Sequence, residues 1–326
     1  MDENYDINAA TDQDSELKLE EIVNEQRLNP SHVQLCDADI QKYEITEFLT
    51  PKSWRVSDFD VDIGAMDEVI FRLQGIVREK ILPPMAKPAS RDRMVKQRPY
   101  LRTAIAITGL GDIAFDKAME KLEEVFLRFT NNFPADSVSG YDPVLHKDTG
   151  FNVFHAHSRY FTKVSAYQDE SDNIGFHPLV DPDNVLASMV GDGFIHAIDN
   201  EVQFLRREIL PDGTARYYAY NPASIRIGDI VEISVAFVAF PAQENKYKFV
   251  VALRGILVLD QEAREKADIL RMRSRYTPAK RQVAVLRRTK RQLYEGQIDI
   301  EDTQQRMARM RLNEDTVHNS NTMSQD

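Results

Sequence analysis

The stretch DIVEISVAFVAFPAQENKYKFVVALRGILVLD, residues 229–260, decides the fold class of this chain. In its first part, apolar residues occupy every second position from Val231 to Ala239, which is the period of a β-strand. A polar turn follows at residues 243–245, and the alternation returns from Tyr247 to Leu259. The pattern predicts two long antiparallel strands joined by a short turn.

More strand patterns lie on the N-terminal side of this hairpin. Residues 194–198, 202–209 and 215–220 have the composition of strands, and Leu210-Pro211-Asp212-Gly213 has the residues of a tight turn. Consecutive antiparallel strands must hide their edges by closing into a barrel or by packing as a sandwich. We therefore predict a β-rich barrel or sandwich over residues 151–260.

The rest of the chain divides into four further regions. Residues 1–30 are acidic and predict a disordered tail, and residues 31–150 predict a mixed α/β region. Residues 261–312 are rich in helix-forming and basic residues, which predicts a helical extension, and residues 313–326 predict a second disordered tail. The predicted fold class is α+β, an antiparallel β-barrel or sandwich with flanking helices and a basic C-terminal helical extension.

Three segments of the mixed region give specific predictions. Apolar residues from Ile63 to Val77 recur at helical spacing and predict a helix. Residues 101–108 predict a strand, and residues 116–129 predict an amphipathic helix.

The residues between that strand and that helix, GLGDIA at 109–114, match the pattern of a dinucleotide-binding turn. A nucleotide site also needs a second apolar strand that ends in an acidic residue, and the sequence after the helix contains none. We interpret the motif as a tight turn with Asp112 as the helix cap, and we predict no nucleotide cofactor.

The composition excludes several classes of protein. The chain has 41 basic and 52 acidic side chains and a net charge of −11. Cys36 is the only cysteine, which excludes an internal disulfide and a cysteine-based zinc finger. The sequence has no G-x-S-x-G elbow, no P-loop, and no signal-peptide or membrane-spanning pattern. We expect an intracellular protein of the nucleus or the cytoplasm, without a membrane partner and without a cofactor.

His155 and His157 are the candidate metal ligands. Positions two apart on a strand point to the same face, so both imidazoles can reach one ion. Further ligands would come from other histidines and from aspartates: His146, His177, His196, Asp181 and Asp199. The alternative is a pair of half-exposed or hydrogen-bonded histidines without a metal.

The basic segment 271–291 is the strongest functional signal in the sequence. It contains nine basic and no acidic residues: Arg271, Arg273, Arg275, Lys280, Arg281, Arg287, Arg288, Lys290 and Arg291. Clustered arginines and lysines neutralise nucleic-acid phosphates and release counterions, so this composition favours binding of DNA or RNA. A solvated helical face and pairing with the acidic N-terminal tail are the alternatives.

Tyr217, Tyr218 and Tyr247 are the candidate residues of an aromatic platform. Exposed aromatic side chains on small barrels stack on the bases of single-stranded nucleic acids. Tyr220 and Phe249 lie on the same predicted strands and would extend the platform. Packing against the protein itself is the alternative role of these rings.

Four short motifs lie in the β-rich region. They are GFIH and DNEV within residues 193–202, RIGDIVE at residues 226–232 and LRGIL at residues 253–257. Together they resemble an uncharacterised family with many copies in mushroom-forming (basidiomycete) fungi, and the resemblance covers residues 185–260. The family has no assigned activity, so the resemblance implies no catalytic residue. It implies a repeated genomic element of mobile origin, which favours a nucleic-acid partner.

These observations predict a non-enzymatic binding protein. The β-domain would be its platform, and residues 271–291 would be a basic helical arm that contacts nucleic acid. One alternative is a protein-interaction or structural module that docks an acidic partner. Another is a metal-dependent enzyme around His155 and His157.

Overall fold

The computed structural model describes residues 18–28, 32–62, 64–86, 95–140, 150–167, 173–211 and 214–276. In these residues the α-helices of ten residues or more are α1 (Lys18–Arg27), α2 (Ile113–Asn132) and α3 (Glu262–Tyr276). The strands are β1 (Val33–Gln34), β2 (Glu44–Leu49), β3 (Lys52–Asp60), β4 (Ala65–Glu68), β5 (Phe71–Ile81), β6 (Arg102–Thr108), β7 (Val138–Ser139), β8 (Val153–Arg159), β9 (Thr162–Lys163), β10 (Phe194–Ile195), β11 (Gln203–Ile209), β12 (Ala215–Ala219), β13 (Ile230–Pro241) and β14 (Tyr247–Asp260). Most of the predicted tail at residues 1–30, all of the predicted tail at residues 313–326 and most of the predicted helical extension lie outside the described residues. Residues 18–28 of the first tail are described, and they contain α1 instead of the expected disorder.

Twelve strands of the described part of the chain form one mixed sheet. Its main order is β12-β11-β14-β8-β6-β5-β13-β3-β2, with β1 beside β5, β4 beside β3 and β7 beside β14. Strands β14, β8, β6, β5 and β13 pair in this order, and β13 pairs again with β14. The pairings therefore form a ring of five strands within an α+β fold.

The long hairpin predicted from residues 229–260 is confirmed as β13 and β14. The two strands are antiparallel, with Val238 opposite Val250. The alternating residues of β13 lie in the main core: Val231, Ile233, Val235, Phe237 and Ala239. The expectation of a purely antiparallel sheet is wrong, because β8 and β11 both run parallel to β14. The chain crosses over through other strands between β8 and β14, and such a crossover permits parallel pairing.

The helix predicted from Ile63 to Val77 is wrong, because this part of the chain contains β4 and the first half of β5. Phe71 and Leu73 point into the main core, whereas Ile76 lies in a second buried cluster beneath α1. Apolar residues therefore occur on both faces of the strand, and their spacing imitates the period of a helix.

The GLGDIA segment is a tight turn between β6 and α2, as interpreted from the sequence. The Asp112 carboxylate accepts a hydrogen bond of 2.7 Å from the backbone N–H of Phe115 and caps α2. Leu110 and Gly111 have φ angles of 51° and 97° in the turn. A Cβ atom on Gly109 would lie 2.4 Å from Cβ of Phe115, so only glycine fits there.

One face of the sheet packs on the main core, and we call the opposite face the outer face. Helices α1 and α3 cover one end of this outer face. Leu19 and Val23 of α1 pack with Ile230 of β13 and Ala267 of α3. Asp229, which is fully buried, accepts hydrogen bonds of 2.9 Å from Gln261 and from Arg264 at the start of α3. Within the described residues, no helix has the length and apolar character needed to cross a membrane.

Candidate nucleic-acid interface

Strands β11 and β12 form a hairpin that continues past the neighbouring strand. Residues 203–206 pair with β14, whereas Arg207 to Ile209 pair only with β12. β12 is the last strand on its side of the sheet, and all five of its residues are exposed. The hairpin therefore presents side chains to solvent along a strand edge with which no described strand pairs.

Tyr217 and Tyr218 both lie on β12, but their side chains point to opposite faces of the hairpin. Tyr217 pairs with Arg207 and Tyr218 pairs with Arg206. The two residues are 44% and 37% exposed, and neither ring packs against another aromatic ring of the described residues. The structure thus brings two of the predicted platform residues onto one hairpin without placing them on one surface.

Tyr218 lies between two arginines, on what we call the Tyr218 face: Arg206, Glu208, Arg216 and Tyr218. Arg206 is directly opposite Tyr218, and Arg216 is two positions away on the same strand. The guanidinium of Arg206 lies 5.6 Å from the ring centroid of Tyr220. Glu208 is directly opposite Arg216, so the face has two basic side chains and one acidic side chain. Proteins that bind single-stranded nucleic acids combine exposed aromatic rings with cationic side chains.

The opposite face of the hairpin has a neutralised cation. The guanidinium of Arg207 donates two hydrogen bonds of 2.9 Å to the carboxylate of Glu25 in α1. The side chain of Arg207 is only 8% exposed. Tyr217 therefore lies beside a charge that is already paired, whereas Arg216 forms no ion pair with any described residue.

Tyr247 lies far from the hairpin and belongs to a packed aromatic cluster. Its ring stacks on Phe133 with centroids 4.0 Å apart and meets Trp54 edge-on at 4.9 Å. Arg206 pairs with Val258 on β14, so eleven residues, or roughly 35 Å of strand, separate Tyr247 from the hairpin. Phe249 lies deeper still, in the main core.

The basic segment 271–291 begins in the last turns of α3. Arg271 forms an ion pair of 3.1 Å with Asp268, and Arg273 is exposed on the same helix. Arg275 belongs to the helix, but its side chain is not described. The other basic residues of the segment lie outside the described residues: Lys280, Arg281, Arg287, Arg288, Lys290 and Arg291. The proposed basic arm therefore stays a prediction from the sequence.

His155 and His157 share one face of β8, but their surroundings are cationic. His157 is half-buried, and its burial together with the charges of Arg102, Lys248 and Arg159 lowers its pKa to about 4. The described residues contain no group of three histidine, cysteine, aspartate or glutamate side chains that could hold a metal ion. This electrostatic environment favours an anion over a metal cation.

The other candidate metal ligands have structural partners. Nδ1 of His196 lies 2.8 Å from the carbonyl oxygen of Tyr160, and the Asp181 carboxylate accepts two backbone N–H groups of the following turn. His177 accepts a backbone hydrogen bond through Nδ1. His146 lies outside the described residues.

Asp199 belongs to a half-buried network of four charges that no sequence pattern indicated. Arg55 donates to both carboxylate oxygens of Asp199 at 2.8 and 2.9 Å. Arg254 donates to both carboxylate oxygens of Glu68 at 2.8 Å and to the backbone carbonyl of Asp199. Burial raises the pKa of Tyr167, whose hydroxyl donates to Asp199. The network joins four separate parts of the chain.

A β-bulge aims Arg254 into this network. Ser234 pairs with Gly255, and Val235 pairs with Leu253, so Arg254 is the extra residue of β14. A bulge turns the extra side chain away from the regular alternation. Residues so far apart in the sequence give no local signal, which is why the network was missed.

An open cleft of about 280 Å³ lies beside Arg254 on the outer face of the sheet. The guanidinium of Arg72 lines it and donates to Ser234 at 2.6 Å and to the fully buried Glu232 at 3.3 Å. Glu201 lines the same cleft. Acidic and basic groups balance here, so the cleft offers less attraction for a polyanion than the Tyr218 face.

No protein-family model matches the chain, and no curated protein matches it either. The resemblance of residues 185–260 to a multi-copy fungal family therefore stays a prediction from the sequence.

Proposed function

We propose that this protein binds single-stranded nucleic acid through the Tyr218 face. The observation that carries the proposal is an exposed tyrosine ring between Arg206 and Arg216 at a solvent-facing strand edge. The ring would stack on a base, and the two guanidiniums would contact the phosphates on either side of that base. We also propose that the ring of five strands is a closed barrel, which holds the hairpin rigidly.

The test compares Tyr218→Ala with Tyr217→Ala in the full chain. Loss of one stacking contact costs about 1–3 kcal/mol, so Tyr218→Ala should weaken binding of a labelled single-stranded oligothymidylate roughly tenfold or more. Tyr217→Ala removes the same side chain from the opposite face and should keep binding within about twofold of the wild type. Fluorescence anisotropy at constant salt measures both affinities.

Equal affinity for the wild type and the Tyr218→Ala variant would contradict the proposal. Equal weakening by both tyrosine variants would contradict the choice of face. Duplex DNA is the second ligand in the same assay, and we expect weaker binding because paired bases cannot stack on the ring.

The predicted basic arm is proposed as a second contact with the nucleic-acid backbone. Each lost phosphate contact lowers the slope of log affinity against log salt by about 0.7 for a single strand. We therefore consider a full chain in which four residues are replaced by glutamine: Arg287, Arg288, Lys290 and Arg291. This variant should show a smaller salt slope, and Tyr218→Ala should weaken its affinity for the oligonucleotide by the same factor as in the wild type.

Docking of an acidic protein is the competing proposal, and the same variants separate the two. Arginines would bind an acidic polypeptide by charge alone. In that case polyglutamate would bind as tightly as the oligonucleotide, and Tyr218→Ala would change neither affinity.

A further inference from the structure

Three cationic side chains lie on the outer face of three neighbouring strands, β6, β8 and β14. Arg102 on β6 is directly opposite Arg159 on β8. His157 lies next to this pair on β8, between Ala104 on one side and Ala252 on the other. Lys248 lies four residues before Ala252, on the same face of β14.

None of these three cations forms an ion pair with an acidic side chain of the described residues. Arg102 donates to the backbone carbonyl of Tyr100 at 3.4 Å, and no described acidic side chain forms an ion pair with Arg102, Arg159 or Lys248. Their combined field reaches His157, where it opposes protonation of the ring. Within the described part of the chain, these cations are therefore not neutralised by ion pairs.

The facing arginines are unfavourable in the free protein. Like charges directly opposite each other destabilise an antiparallel pair of strands. An anion bound between them removes this repulsion, and a phosphate group can accept paired hydrogen bonds from each planar guanidinium. The small side chains Ala104 and Ala252 leave room beneath the long cationic ones.

We propose that Arg102 and Arg159 form a phosphate-binding site on the outer face of β6 and β8, and that Lys248 of β14 adds to its positive field. The neutral imidazole of His157 lies beside the two arginines and can donate one further hydrogen bond to a phosphate oxygen. The phosphate can belong to the backbone of a bound nucleic acid or to a small molecule. The site stands on observations separate from those at the hairpin, so either proposal can fail without the other.

The first experiment titrates the full chain with inorganic phosphate at constant ionic strength, with chloride as the balancing ion. Isothermal titration calorimetry should show saturable binding to the wild type. Arg159→Gln and Arg102→Gln should each weaken it about tenfold, since each removes one charge-assisted contact. Arg226→Gln is the control, because Arg226 is an exposed arginine on a different part of the surface.

Thermal unfolding, measured in parallel, distinguishes loss of the phosphate site from misfolding of the variant. Arg159→Gln relieves the repulsion between two facing arginines, so its midpoint should equal or exceed that of the wild type in the absence of phosphate. A lower midpoint in phosphate-free buffer would contradict the unfavourable pairing on which the site rests.

The second experiment measures the affinity of the same variants for single-stranded oligothymidylate. Weaker binding by Arg159→Gln, with a salt slope reduced by about 0.7, assigns the site to backbone phosphates. Loss of phosphate binding with an unchanged oligonucleotide affinity assigns it to a free phosphate group. The proposal is overturned if Arg159→Gln leaves both affinities unchanged, or if the wild type binds neither ligand at this face.

Discussion

Asp199 shows how a single side chain can hold distant strands together. It accepts hydrogen bonds from Arg55 of β3 and Tyr167, and its backbone carbonyl accepts from Arg254 of β14. Removing one member of a buried ion pair leaves the remaining charge unpaired, which costs about 3–5 kcal/mol. We expect Asp199→Ala to lower the free energy of unfolding by this amount in a urea titration.

Asp183→Ala is the matched control for this substitution. Asp183 is exposed, so its replacement should change the free energy of unfolding by less than about 0.5 kcal/mol. Similar values for the two variants would show that the four charges are screened by solvent and contribute little.

His157 predicts a specific dependence of stability on pH. Burial and the neighbouring cations lower its pKa in the folded protein to about 4, whereas an unfolded histidine has a pKa of about 6.5. Between these values the unfolded chain binds more protons, so stability falls as the pH drops from 6.5 towards 4. His157→Gln should lose about 2 kcal/mol less than the wild type between pH 7 and pH 4.5.

The measurement is chemical unfolding at several pH values in that window. If the His157→Gln profile coincides with that of the wild type, the ring is protonated normally in the folded protein.

At the scale of elements, the glycine before α2 fixes the approach of the helix to β6. A Cβ atom on Gly109 would lie 2.4 Å from Phe115, which is buried in the core. Such overpacking costs about 1–3 kcal/mol, so Gly109→Ala should lower the thermal midpoint by several degrees. Gly175→Ala, where a Cβ meets nothing within 4 Å, should leave it unchanged. Equal midpoints for both variants would contradict the close contact.

Elements with one exposed and one buried face were predictable from the sequence. The helix predicted at residues 116–129 is the central part of α2, because its apolar residues follow one stripe. β5 was not predictable, since both of its faces are covered and its apolar residues no longer alternate. The β13–β14 hairpin was recognisable because its turn residues and its alternation agree.

At the scale of the whole molecule, the cationic surfaces could not be predicted from local sequence. Arg102, Arg159 and Lys248 belong to three strands, and only the sheet order brings them together. The Tyr218 face was partly predictable, because Tyr217 and Tyr218 lie next to a recognisable turn. Tyr247 resembles them in sequence, but its ring packs against Trp54 and Phe133. Strand alternation alone does not show which aromatic rings the rest of the fold covers and which stay exposed to solvent.

The ring of five strands has a consequence for synthesis on the ribosome. β14 is the last strand of the described residues, and it pairs with both β13 and β8 to complete the ring. Until residue 260 has left the exit tunnel, the growing chain has free strand edges on β8 and β13, which can pair with other nascent chains. A translation product that stops before Tyr247 would keep those edges permanently, which makes it a substrate for chaperones and proteases.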